Sequence, residues 1–201
     1  SYITIGPYFH QNVIGQFQEE IPTPELKRAF EVMKEKGIAC HYGTWQIEGD
    51  PKAILLDMAN FWHNLNSIKK DLWDWFNVDS LMAGRDYDEP ILWSYATGML
   101  IQEISHQMPN SAIAAQFHEW LSGAGLLYVK KHCPKVGTIF TTHATVLGRA
   151  LANSEAPLYE ILDRVNPEYE AGTHGVGAKH SIEKAAANAS HAFTTVSEIT
   201  G

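Results

Sequence analysis

The first half of the chain alternates short apolar segments with helical patterns. Residues 2–5 are typical of a short strand. Residues 23–25, Thr-Pro-Glu, supply an N-cap, a proline at the first helical position and an acidic residue near the positive end of a helix, which we expect to end at Gly37. Three β-type segments follow, and the turn residues 49–51 between the last two predict a local antiparallel hairpin. These segments are residues 38–42, 44–47 and 53–57.

Helical patterns dominate the middle of the chain. Residues 61–76 are rich in tryptophan and predict one helix, and the polar, acidic residues 79–89 predict an exposed loop after it. Asp88, with Pro90 close behind it, predicts the N-cap of a long helix that has a broad, mostly apolar face.

From about residue 110 the pattern becomes a regular alternation of strand and helix. Strands separated by helices need parallel crossovers, and strands without strict polar alternation are expected where both faces of a sheet are covered. The prediction is an α/β fold, a three-layer Rossmann-like domain with a parallel sheet and a local antiparallel hairpin. The predicted strands are residues 112–117, 136–141 and 192–196, and the predicted helices are residues 119–132, 143–152, 158–164 and 178–189.

Composition and charge narrow the functional class. The 201 residues are 45% hydrophobic, which fits one globular domain or at most two small ones. Fifteen Lys and Arg against 23 Asp and Glu give a net charge of −8 with no basic block, which argues against sequence-independent nucleic-acid binding. The apolar stretches are far shorter than the roughly 20 residues that cross a bilayer, and two cysteines are too few for a disulfide framework. We therefore expect no membrane span and a cytoplasmic location.

Polar residues follow three of the predicted strands at the points where those strands end. His118 and Glu119 follow the first strand, Thr142 and His143 the second, and residues 194–197 the third. Ligands of open parallel sheets bind beyond the carboxyl ends of the strands. Each cluster alone is typical of a helix N-cap, but their shared placement favours a polyhydroxyl ligand such as a sugar. Trp120 would pack either on an apolar sugar face or in the core.

Other chemistries have weaker support. The ten histidines include no pair at i, i+3 or i, i+4 of a predicted helix, so we expect no metal site. Residues 172–179 imitate a phosphate loop, but Ala178 occupies the lysine position and no strand directly precedes them. Residues 123–125, Gly-Ala-Gly, lie within a predicted helix, where they favour close packing of that helix on the sheet over contact with a pyrophosphate.

Arg149 is one of few basic residues near the predicted crevice. It follows His143 by six positions, which on an ideal helix at about 100° per residue places the two side chains roughly 240° apart. Both reach one ligand only if residues 144–148 begin irregularly, with Gly148 allowing a bend. The alternative is a solvated cation near the end of the helix.

Three motifs carry a resemblance to a known family. They are residues 117–121 (Phe-His-Glu-Trp-Leu), 138–149 (Thr-Ile-Phe-Thr-Thr-His-Ala-Thr-Val-Leu-Gly-Arg) and 192–200 (Ala-Phe-Thr-Thr-Val-Ser-Glu-Ile-Thr). In this order they closely resemble the amino-terminal domain of the family-3 glycogen synthases, the type found in animals, fungi and some bacteria. Residues 5–12 and 43–57 resemble earlier segments of that domain, so the similarity covers nearly the whole chain.

The resemblance implies a fold, a reaction and a set of site residues. That family has two Rossmann-like domains facing across a cleft, and it transfers glucose from a nucleotide sugar to the non-reducing end of an α-1,4-glucan with retention, without a metal or other cofactor. The donor would be UDP-glucose or ADP-glucose, with UDP-glucose favoured. His143 would contact the transferred glucosyl unit as the catalytic residue, and Arg149 would bind the donor phosphates. The remaining sugar or acceptor contacts would be His118, Glu119, Thr142, Thr195 and Ser197.

By the same resemblance, residues 1–201 form an incomplete amino-terminal, acceptor-side domain. The family's Lys-Val-Gly-Gly type loop does not occur in these residues, and its nucleotide-binding domain lies outside them, so we expect the 201 residues alone to be inactive. A homo-oligomer of the complete protein is one option, and the oligomeric state is left open. One alternative is a non-catalytic glucan-binding or protein-docking module, and another is a starch or sucrose synthase, against which residues 117–120 and 141–145 argue.

Overall fold

The computed structural model describes residues 2–154 and 157–196. Its strands are β1 (Thr4–Pro7), β2 (Phe17–Glu19), β3 (Ala39–Trp45), β4 (Lys52–Asp57), β5 (Ala114–His118), β6 (Gly137–Thr142) and β7 (Ala192–Thr195). Its α-helices are α1 (His10–Val13), α2 (Pro24–Glu35), α3 (Leu65–Phe76), α4 (Arg85–Gln107), α5 (Gly123–His132), α6 (Val146–Asn153), α7 (Leu158–Ile161), α8 (Pro167–Thr173) and α9 (Gly177–Ala189). Short 3₁₀ segments occupy Trp62–Asn64, Trp120–Ser122 and Leu162–Arg164.

The described strands form two hydrogen-bonded sheets. The first has the order β1-β4-β3-β2, in which β1 runs parallel to β4 and the other pairs are antiparallel. The second has the order β5-β6-β7 and is wholly parallel. The predicted hairpin is confirmed as β3 and β4, and the segments 38–42 and 44–47 merge into the single strand β3. The fold is α/β and Rossmann-like, with its strands divided between these two sheets.

One apolar core joins the two sheets through α4 and α5. Ile54 and Leu56 of β4 and Phe140 of β6 belong to the same buried cluster as the inner faces of these helices. Gly125 permits the close approach of α5 to α4, because a Cβ there would lie 2.5 Å from the carbonyl oxygen of Ser94. The predicted packing role of the Gly-Ala-Gly segment is confirmed, and its partners are helices as well as the sheet.

Three predicted helix starts are wrong, and one of them is that of α5, which was predicted from residue 119 but begins at Gly123 after a 3₁₀ turn at Trp120–Ser122. The long helix α4 begins at Arg85 with Gly84 as its N-cap, so Asp88 lies inside the helix. Burial of Tyr87 in the core holds this first turn, and the Asp88 carboxylate forms an ion pair with Lys69 at 2.5 Å. The helix predicted from residue 143 begins only at Val146.

The segment between β6 and β7 contains more helix than the sequence pattern indicated. Residues 167–173 form α8, where no helix was predicted, and Asn166 caps this helix by accepting a hydrogen bond from the Tyr169 amide at 3.0 Å. Gly175, at φ +69°, then turns the chain into α9. None of the helices in the described ranges 2–154 and 157–196 has the length and apolarity that a membrane crossing needs.

Candidate functional site

The ends of β5 and β6 bring four of the predicted site residues together. His118 is the last residue of β5, and His143 follows β6 directly. Both imidazoles are exposed, and Nδ1 of His118 lies 3.3 Å from Nε2 of His143. Glu119 and Arg149 approach the same turn, with 3.8 Å between Oε1 of the carboxylate and Nη2 of the guanidinium. The strand ends therefore form a polar rim with two imidazoles, a carboxylate and a cation.

Glu119 supports the turn that carries His143. Its Oε1 accepts a hydrogen bond from the backbone amide of His143 at 2.7 Å and a longer one from that of Ala144 at 3.4 Å. The backbone of Glu119 has φ +62° and ψ 171°, a region that is favourable essentially only for glycine. The side chain is 17% exposed. Glu119 is a non-glycine residue in this conformation, and its carboxylate accepts hydrogen bonds from backbone amides. Both features indicate that Glu119 shapes the site.

The start of α6 explains how His143 and Arg149 reach one rim. Thr145 is the N-cap and accepts a hydrogen bond from the Gly148 amide at 3.1 Å, so His143 precedes the helix and does not follow its rotation. The expected irregular start is confirmed for residues 143–145, whereas Gly148 lies within the regular helix. Gly148 gives the capping hydroxyl room, because a Cβ there would lie 2.8 Å from it. The Arg149 side chain is 60% exposed, which leaves the guanidinium accessible to a ligand.

Glu183 is a buried group that the sequence analysis missed. It lies on α9 with 5% exposure, and its Oε2 accepts a hydrogen bond from the Val146 amide at 2.9 Å. Burial raises the pKa of this carboxyl to about 7, and the Glu119 charge adds to the increase, while the Val146 amide and Arg149 oppose it. The sequence signal that could have indicated its burial is its position between Ile182 and Ala186, on the buried face of α9.

Exchange of Glu183 for glutamine should change how stability depends on pH. A carboxyl whose pKa is raised from 4.5 to about 7 stabilises the fold below pH 4.5 and loses that contribution as the pH rises through 7. Glutamine does not titrate, so the unfolding free energy of Glu183→Gln relative to that of wild type should rise by about 3 kcal/mol on going from pH 4.5 to pH 8. Urea unfolding at both pH values measures this difference, and a constant offset would contradict the raised pKa.

The other predicted hydroxyl contacts are Thr142, which is buried, Thr195, which lies on β7, and Ser197. Thr142 is 4% exposed, and its hydroxyl has no hydrogen-bond partner among the described residues. It lines a cavity of about 380 Å³ behind α6, together with His180 and Glu183. Thr195 ends β7 and is half-buried. Ser197 lies outside the described residues.

Trp120 packs against the protein. Its ring stacks on Tyr87 with 5.9 Å between centroids, and the Lys179 ammonium lies 5.1 Å from its centroid. Of the two alternatives for this side chain, the structure favours the core contact. The described residues include no group of three or more His, Cys, Asp or Glu side chains that could hold a metal ion.

The fold and the site together define a Rossmann-like α/β domain with a polar rim at its strand ends. A family model described as glycogen synthase matches residues 1–201. The chain is 41% identical over 202 residues to a glycogen [starch] synthase of Dictyostelium discoideum, 38% identical over 200 residues to one of Neurospora crassa, and 35% identical over 201 residues to the human liver glycogen [starch] synthase. These alignments cover 99% to 100% of the chain.

The chain belongs to the glycogen synthase family. It spans only 23% to 29% of the length of these relatives. The match confirms the resemblance that the three motifs carried.

Proposed function

We propose that this chain is the acceptor-side part of a retaining glycosyltransferase that moves glucose from a nucleotide sugar to the non-reducing end of an α-1,4-glucan. The observation that carries the proposal is the rim itself, where the exposed guanidinium of Arg149 lies beside the turn bearing His143. Membership of the glycogen synthase family supports the reaction class.

Arg149 is the proposed contact for the donor diphosphate. Its exposed guanidinium has a fork of N–H donors that matches two phosphate oxygens, and such charge-assisted bonds are the stronger ones. Negative charge grows on the diphosphate as the bond between the anomeric carbon of glucose and the diphosphate oxygen breaks. A preorganised cation stabilises that charge. Arg149 therefore contributes mainly to leaving-group departure.

The two imidazoles are the proposed contacts for the sugar. His143 extends from the turn after β6 toward the transferred glucosyl unit, and His118 stands 3.3 Å away on the same side of the rim. Each neutral imidazole offers one donor and one acceptor, which suits sugar hydroxyls. The Glu119 carboxylate accepts hydrogen bonds from backbone amides of the turn, and Glu119 therefore acts on the sugar indirectly, by positioning His143. Thr142, Thr195 and Ser197 stay predicted sugar or acceptor contacts.

The proposed donor is UDP-glucose, with ADP-glucose as the second choice, and no metal or further cofactor takes part. The remaining phosphate and nucleotide contacts would come from residues outside the 201, in the second domain that the resemblance implies. For that reason the activity belongs to the complete protein, and the test must use it.

The direct test is a transfer assay on the product of the complete reading frame that encodes this chain. Labelled UDP-glucose and ADP-glucose are each incubated with maltoheptaose or glycogen, and the new linkage is identified by NMR. We expect α-1,4 extension with at least one donor. A folded protein that binds maltooligosaccharide but transfers glucose from neither donor would overturn the proposal in favour of a non-catalytic glucan-binding module.

A further inference from the structure

The turn between β6 and α6 uses its backbone amides on side chains of the protein itself. Glu119 accepts from the amides of His143 and Ala144, and Thr145 accepts from that of Gly148. Glu183 accepts from the amide of Val146. A free helix N-terminus commonly binds phosphate through such amides. These four amides already have acceptors, so the charged donor that the rim offers to an anion is Arg149.

Glu183 holds this turn from behind. Its carboxyl is buried on α9, 37 residues from Val146 in sequence, and it lines the cavity behind α6 together with Thr142. The exposed imidazole of His143 and guanidinium of Arg149 lie on either side of the Val146 amide along the chain. The hydrogen bond from Val146 to Glu183 therefore connects the turn between His143 and Arg149 to the packed helix α9.

We infer that Glu183 is a positioning residue for this turn, which fixes the first residue of α6 and thereby sets where Arg149 meets the donor diphosphate. The inference rests on the proposed function. Glu183 is buried behind the turn, so its effect on catalysis passes through Val146 and α6. Loss of the contact should let the start of α6 shift, and a displacement of about 1 Å at a reacting centre can cost on the order of 100-fold in rate.

Two substitutions remove this contact from opposite ends. Glu183→Ala removes the acceptor. Val146→Pro removes the donor at a position where proline is favoured, because Val146 is the first residue of α6 and Thr145 before it has φ −60° and ψ 146°. Glu183→Gln keeps an acceptor oxygen and is the conservative variant. Ser181→Ala is the matched control, since it removes from the same helix a hydroxyl that accepts a hydrogen bond from the Asp79 amide.

The experiment measures transfer kinetics of the complete protein over a range of donor and acceptor concentrations. We expect Glu183→Ala and Val146→Pro each to lower kcat/KM for the donor at least 10-fold while KM for the acceptor stays within twofold. Glu183→Gln should recover activity to within about threefold of wild type, and Ser181→Ala should stay within twofold. The double variant should be no worse than the poorer single one, because both remove one interaction.

The outcomes separate this inference from the proposed function. An active wild type whose Glu183→Ala and Val146→Pro variants keep normal donor kinetics would overturn the positioning role alone, as would a loss that glutamine fails to restore. If Glu183→Ala does not fold, Val146→Pro and Glu183→Gln decide the question. A wild type that transfers no glucose from either donor would overturn the proposed function and this inference with it.

Discussion

Replacement of Arg149 by alanine should lower kcat/KM for the nucleotide sugar by about 10² to 10³ in the complete protein, because preorganised contacts to developing negative charge have effects of this size. The guanidinium is exposed at the rim and its nearest acidic neighbour, Glu119, is 3.8 Å away. Arg149→Lys should lose about 10-fold, because it keeps the charge but not the two-pronged donor geometry. Initial rates of glucose transfer at several donor concentrations measure both effects.

The control for this prediction is Arg28→Ala. Arg28 is similarly exposed and also pairs with a glutamate, Glu25, but it lies on α2 and contacts Gln107 at the far end of α4. Its loss should leave transfer within about twofold of wild type. Equal rates for the Arg149→Ala and Arg28→Ala proteins would remove Arg149 from the donor site.

Replacement of Glu119 by alanine should lower transfer about 100-fold, because the turn bearing His143 loses its carboxylate acceptor. Two backbone amides, those of His143 and Ala144, lose their partner at once, and Arg149 loses its nearest acidic neighbour. Displacement of the turn moves both proposed ligand contacts together. Transfer assays should show the loss in kcat as well as in the donor KM, and a change confined to the acceptor KM would speak against this role.

A comparison of Glu119→Gly with Glu119→Ala separates the backbone from the carboxylate. Both variants lack the carboxylate, but only glycine is unstrained at φ +62° and ψ 171°. The free energy of unfolding of Glu119→Gly should therefore be about 1 kcal/mol higher than that of Glu119→Ala, whereas the two variants should be equally impaired in glucose transfer. Denaturant unfolding of the two proteins measures the difference, and an alanine variant at least as stable as the glycine variant would disprove strain at this position.

Local signals predicted the parts of this fold that local interactions decide. Thr23 and Gly37 mark the ends of α2, and the turn residues 49–51 separate the paired strands β3 and β4. The polar clusters after β5 and β6 were also predicted to converge, because the carboxyl ends of parallel strands meet at one edge of a sheet.

The features that the sequence did not predict depend on contacts between distant residues. The start of α4 at Arg85 depends on the burial of Tyr87 in the core, and no local pattern marks that burial. The contact from Glu183 to Val146 spans 37 residues. Glu119 was predicted to contact a ligand because it is a carboxylate that follows a strand, and these two features indicate a position at the rim. They do not indicate which donors its carboxylate accepts hydrogen bonds from.

The spacing between Arg149 and Glu119 has a further consequence for ligand exchange. At 3.8 Å and with the guanidinium 60% exposed, this ion pair stabilises by less than about 1 kcal/mol. In the proposed reaction, a diphosphate would therefore displace the carboxylate from the arginine at little energetic cost, and the carboxylate would pair with the arginine again after the nucleotide product leaves. Between turnovers of the proposed reaction, the weak ion pair would keep the arginine close to its ligand-binding orientation without holding it rigidly, and this would favour rapid release of the charged product.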